Sequence, residues 1–94
     1  MEQYNILNIE YQNRYGKDIK LSCFSLEIKL KDNTNEYKGY WEVNLRKIKD
    51  FSLNEGDRTT FIFETDKRIR LIGEGKVQYD GKGYCLIGDN LRLG

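Results

Sequence analysis

The sequence predicts an all-β fold: a six-stranded antiparallel meander forming a small barrel or a strongly curved sheet, with a β-sandwich as the alternative. Three observations carry this. Apolar and polar residues alternate with a period of two along most of the 94 residues, the pattern of strands that bury one face. Seven Tyr, four Phe and one Trp suit a pleated surface, and Ala, the best helix former, is missing altogether. Clusters of Asn, Asp and Gly interrupt the alternation where tight turns would join neighbouring strands.

The first strand spans 4–12, with Leu7, Ile9 and Tyr11 on one face. A turn around Gly16 leads into a long second strand over 19–31. Its first half sets Ile19, Leu21 and Cys23 inward and its second half Phe24, Leu26, Ile28 and Leu30. The phase flips between Cys23 and Phe24, so a β-bulge is expected there, bending the strand while keeping both sets inside. Asp32 to Asn35 is a polar turn. The third strand covers 37–45 with Trp41, Val43 and Leu45 inward, and Trp41 is expected to anchor the core.

Residues 46–53 read equally as one helical turn, from the spacing of Leu45, Ile48 and Phe51, or as a short strand. After a turn at Asn54–Asp57, the fourth strand covers 58–64 with Phe61 and Phe63 inward. The fifth covers 68–79 with Ile69, Leu71, Gly73, Gly75, Val77 and Tyr79 inward, and its inward glycines mark a bend or a close approach by a neighbour. A type I turn with a left-handed Gly83 would close the last hairpin. That register pairs Tyr79 with Cys85, Val77 with Ile87 and Leu71 with Leu93, and turns Cys85, Ile87, Leu91 and Leu93 inward.

Ile, Leu, Val and Phe make up 25 of the 94 residues, enough for one core, so residues 1–94 form a single domain. The chain reads as cytoplasmic. Met1 to Asn5 shows neither the basic nor the apolar segment of a secretory signal, and no apolar run approaches the roughly 20 residues that span a bilayer. Net charge is +1 and is evenly mixed along the chain, which gives no polyanion-binding signature.

Catalytic apparatus is sparse. His is absent, and with it the usual general base and the commonest metal ligand. Cys23 and Cys85 are the only thiols; with no CxxC and no His they cannot complete a zinc site of about four ligands, and they read as reduced core thiols. Gly73-Glu74-Gly75-Lys76 lacks the spacing of a phosphate loop and lies inside a strand. The carboxylates fall on outward faces or in turns. The expectation is therefore no enzyme, no metal and no cofactor.

Two surface features remain. Lys67, Arg68 and Arg70 form the one compact basic cluster, with Lys29, Lys31, Lys38 and Tyr40 on other strands. Basic grooves with an exposed aromatic such as Tyr40 are the features of single-strand nucleic-acid binders, though Lys on strands also serves to guard edges. Ile62, Ile72, Tyr84 and Leu86 fall on the outward face, with Ile62 and Ile72 expected diagonally across one strand pair beside Arg68 and Arg70, where no core role is available to the two isoleucines. An exposed apolar pair rimmed by Arg resembles the anatomy of a small interface; the competing reading is that residues 46–53 cover it. The leading functional reading is a non-catalytic binding protein that engages another protein, or itself, through this outer face. A single-stranded nucleic-acid-binding barrel and a barrel holding a small apolar ligand are the alternatives.

Overall fold

The computed structural model describes residues 2–31, 40–45, 52–79, 81–89 and 91–94, with backbone alone at 2–3, 23–27, 29–31 and 40. The turn expected at 32–35, the start of the expected third strand at 37–39, and residues 46–51 lie outside the described residues, so neither reading of 46–53 is decided. The chain is all-β. Its strands are β1 (Glu2–Gln12), β2 (Asp18–Lys31), β3 (Tyr40–Asn44), β4 (Arg58–Thr65), β5 (Arg70–Tyr79), β6 (Tyr84–Asp89) and the short β7 (Arg92–Leu93).

All pairings are antiparallel, in the order β4-β1-β2-β3-β6-β5-β7, and β4 also pairs with β5. Consecutive pairing holds within two halves, β1-β2-β3 and β4-β5-β6. The halves join edge to edge, β3 with β6 and β1 with β4. The joining registers are short. β1 meets β4 only over Ile6–Glu10, and β3 meets β6 over Tyr40–Asn44. Past Glu10 the two strands part, and Thr59 Oγ1 donates to the Gln12 carbonyl at 3.5 Å across the gap. The expected barrel is thus corrected to one strongly curved sheet that is not closed along its length, and the sandwich alternative gives way to a single sheet.

The bulge expected in the second strand is present. Leu7 stands against the three residues Cys23–Ser25, between the pairs Ile6–Leu26 and Asn8–Ser22. The first strand flips phase at the same level, which alternation of Leu7, Ile9 and Tyr11 did not suggest. Ile6 and Ile9 are both buried, and Leu7 is exposed. The β1–β4 register also shifts between Ile6 and Asn8, so the irregularity runs across both pairings of β1, and it turns Ile6 and Ile9 to the same, inner side.

The core centres on Trp41. It meets Phe63 edge to face at 5.1 Å and Phe61 at 6.2 Å, and Tyr11 packs on Phe61 at 5.7 Å, separations at which aromatic pairs attract. The indole lies on a glycine floor. Gly75 and Gly88 face each other across β5 and β6, and a Cβ at Gly75 would stand 2.6 Å from Trp41 Cη2, while one at Gly88 would enter the ring. This floor corrects the expected hairpin register. Val77 pairs with Leu86 and Tyr79 with Tyr84, and the left-handed turn residue is Gly81, at φ +87°. Leu86 and Gly88 therefore face inward, while Cys85 and Ile87 are half-buried on the other side. The Leu71–Leu93 pairing holds in β7, yet Leu93 is exposed.

Asp57 fixes the turn before β4. Its carboxylate accepts the Asn54 amide at 2.8 Å and faces Arg14 at 3.3 Å. The Asn54 amide, with Arg14 in support, holds its pKa below the ordinary carboxylate value against an opposing desolvation. A lowered carboxylate pKa contributes stability above the unfolded-state value that is lost as pH falls through the folded one. The expected result is that Asp57→Asn unfolds less steeply than wild type on acidification below the carboxylate range, measured by circular dichroism.

Candidate interaction surface

The β4–β5 hairpin is closed by a turn that the sequence builds locally. Thr65 is buried; its hydroxyl donates to the Ile69 carbonyl at 2.9 Å and accepts the Ile69 amide at 3.3 Å. Asp66 ties the turn to β1, its amide donating to the Asn5 carbonyl at 3.0 Å and its carboxylate accepting Asn5 Nδ2 at 3.1 Å. Lys67 Nζ lies 4.9 Å from the centre of the Tyr4 ring, a cation–π distance. Arg68 is held at φ 60°, the left-handed region where a residue with a Cβ loses about 1–2 kcal/mol. Arg68→Gly is expected to relieve that strain and raise stability by up to about 1 kcal/mol, since glycine's greater unfolded freedom offsets part of the gain. A urea titration measures it; a loss of stability would contradict the local account.

Alternation then places the surface. Phe61, Phe63 and Leu71 are buried on the inner side, so Ile62, Glu64, Arg70 and Ile72 point outward. Ile62 and Ile72 stand directly opposite one another, and Glu64 opposite Arg70. β1 and β7 extend these rows. Glu10 pairs with Ile62 and Asn8 with Glu64, while Arg92 pairs with Ile72. Lys20, opposite Glu10 on β2, continues the row. Across five strands one row therefore reads Lys20, Glu10, Ile62, Ile72, Arg92.

Both isoleucines are half-buried. Of the residues expected to cover them, 46–51 lie outside the described residues, while Leu53 enters the core and Ser52 meets the Tyr11 hydroxyl at 2.8 Å. Gly94 lies along one flank of Ile72, its amide donating to the Arg70 carbonyl at 2.9 Å, and a Cβ there would stand 2.6 Å from Ile72 Cδ1. Glu10 is the electrostatic hub, 3.6 Å from Lys20 and 3.9 Å from Arg70. A groove of about 610 Å³ opens where β1 and β4 part, lined by Glu10, Gln12, Lys20, Thr60 and Ile62. A second, of about 520 Å³, lies beyond Ile72 between Arg58, Glu74, Lys76, Asp89 and Arg92.

Of the residues singled out from sequence, the structure brings Ile62, Ile72 and Arg70 together and sets Arg68 at the end of their hairpin. Tyr40 is not part of the group: it lies on β3, separated from β4 by β6 and β5 on one side and by β2 and β1 on the other. Its side chain, and those of Lys29, Lys31 and Lys38, lie outside the described residues. Glu10, Glu64 and Arg92 were missed as its border. Arg92 follows from the register of Leu71 with Leu93. Glu10 follows only from the β1–β4 pairing, which joins residues too distant for alternation to reveal.

Among the described residues no group of three or more His, Cys, Asp or Glu could hold a metal ion, and no helix is long and apolar enough to cross a membrane. No protein-family model matches the chain, and neither curated proteins nor solved structures give a match.

Proposed function

We propose that this protein is a non-catalytic binding module that engages another protein through the outer face of β4 and β5. One observation carries the reading: Ile62 and Ile72 stand directly opposite on the face turned away from the core, bordered by Arg70 and Arg92. Apolar centres with Arg at the border are the usual composition of protein interfaces. The left-handed Arg68 supports it, because strain kept at an exposed residue suggests a use for that side chain.

The alternatives draw less support. Lys67 is engaged by Tyr4 and Arg70 approaches Glu10, which reduces the free positive charge that a nucleic-acid backbone requires. The aromatic cluster around Trp41 occupies the inner face where an apolar ligand would rest.

The test immobilises wild type, Ile72→Lys and Leu7→Lys in extract of the native host and reads captured proteins by mass spectrometry. Leu7 is an exposed apolar residue away from the pair. The expected result is a partner retained by wild type and Leu7→Lys and reduced at least tenfold by Ile72→Lys, about 1.4 kcal/mol or more of binding. Capture that is indifferent to Ile72→Lys would reject the surface.

A further inference from the structure

We infer that one occupant of this face is a second copy of the same chain, packed about a two-fold axis that runs along the strands between β4 and β5. The inference rests on the proposed binding role of the face and names its partner. Its basis is the charge pattern. In the two rows that hold the isoleucines and the Glu64–Arg70 pair, acidic groups lie on β1 and β4, Glu10 and Glu64, and basic groups on β5 and β7, Arg70 and Arg92; Lys20 on β2 and Glu74 on β5 break the pattern at its edges. A rotation about that axis exchanges the two sides and keeps each row in place. Ile62 then meets Ile72 of the second copy, Glu64 meets its Arg70, and Glu10 meets its Arg92. Symmetry makes every contact occur twice. Four isoleucines form the centre and four opposite-charge pairs surround them.

A face chosen at random does not match itself in this way; like charges would meet as often as unlike ones. Two rows from the isoleucines the match fails, where Arg58 would face Lys76, so the complementarity belongs to the central rows. The existing 3.9 Å approach of Arg70 to Glu10 is long and exposed, so exchanging it for Glu64 of the second copy costs little. Four strands about 4.8 Å apart and three rows of alternate residues span only a few hundred Å² per copy. A standard interface buries about 800 Å² on each side, so the association is weak and is sought at concentrations up to about 1 mM.

Sedimentation equilibrium over roughly 10 μM to 1 mM reads the constant, with circular dichroism confirming that each surface variant keeps the fold. Glu64→Arg alone and Arg70→Glu alone each place like charges together and are expected to weaken association at least tenfold. Mixed in equal amounts they restore every pair, because the introduced arginine meets the introduced glutamate, and the mixture is expected to associate like wild type. Ile72→Lys added to either component should abolish the restored association. Wild type that stays monomeric at about 1 mM, or a mixture no tighter than its components, overturns the self-association. If the extract capture above is nevertheless lost in Ile72→Lys, the binding face stands and only the identity of its occupant falls.

Discussion

Trp41→Ala is expected to destabilise the protein by about 3–5 kcal/mol, the range for emptying a fully buried tryptophan site. Trp41 is completely buried and touches Phe61, Phe63 and both glycines of its floor, so no neighbour can collapse into the space without moving a strand. One term acts the other way. Among the described residues Trp41 Nε1 is buried with no hydrogen-bond partner, and an unsatisfied donor costs about 1–3 kcal/mol. Trp41→Phe, which keeps a ring and removes that donor, should therefore lose clearly less than Trp41→Ala. Denaturant titrations of the three proteins measure this. Against a total stability of roughly 5–10 kcal/mol, the alanine variant should melt more than ten degrees lower, at about 4–8 °C per kcal/mol. An unchanged melting temperature would contradict the core described here.

The second large effect comes from adding one methyl group. Gly88→Ala puts a Cβ into the Trp41 ring and against the Glu74 carbonyl. The ring cannot retreat, because Phe61 and Phe63 hold its other side, and the carbonyl belongs to the paired strand. Overpacking of this kind costs about 1–3 kcal/mol, occasionally more, and rigid surroundings put Gly88 at the upper end. The diagnostic is coupling. In a Trp41→Leu background the ring clash is relieved and only the contact with the Glu74 carbonyl remains, so the double variant should lose less than the two single losses added, by about 0.5–3 kcal/mol. Additive losses would mean that Gly88 is required for some other reason than the indole above it.

These positions show how far alternation reaches. The inward set Trp41, Val43, Leu45, Phe61, Phe63, Leu71 and Val77 was legible because each lies in a stretch that alternates cleanly and pairs with sequence neighbours. The bulge at Cys23–Ser25 was legible because the inward set changes parity there. Its counterpart in β1 was hidden: Ile6 and Leu7 are both apolar, so either could have been the inward residue. The last hairpin failed by one residue for a related reason. Cys85, Leu86 and Ile87 are consecutive apolar residues, and local pattern could not choose among registers. What chose was Trp41, forty or more positions away, which requires Gly88 opposite Gly75.

The candidate surface divides the same way. Ile62, Ile72, Arg68 and Arg70 belong to one hairpin, so turn chemistry and alternation sufficed to place them on one face. The acidic side of the face comes partly from Glu10 in β1, which a join between the two halves of the sheet brings beside Ile62. Tyr40 was grouped with them only on charge and aromatic character, and the sheet order removes it.

Isoleucine methyl resonances test the central claim most directly, because each reports on its own surroundings. Protein carrying ¹³C at isoleucine δ1 methyls would be observed alone in buffer and then in extract of its native host. If the outer face of β4 and β5 is where this protein binds, the Ile62 and Ile72 methyls should shift or broaden selectively in extract, while those of the buried Ile6, Ile9 and Ile28 stay in place. Perturbation that spares Ile62 and Ile72 and falls on other residues would contradict the account.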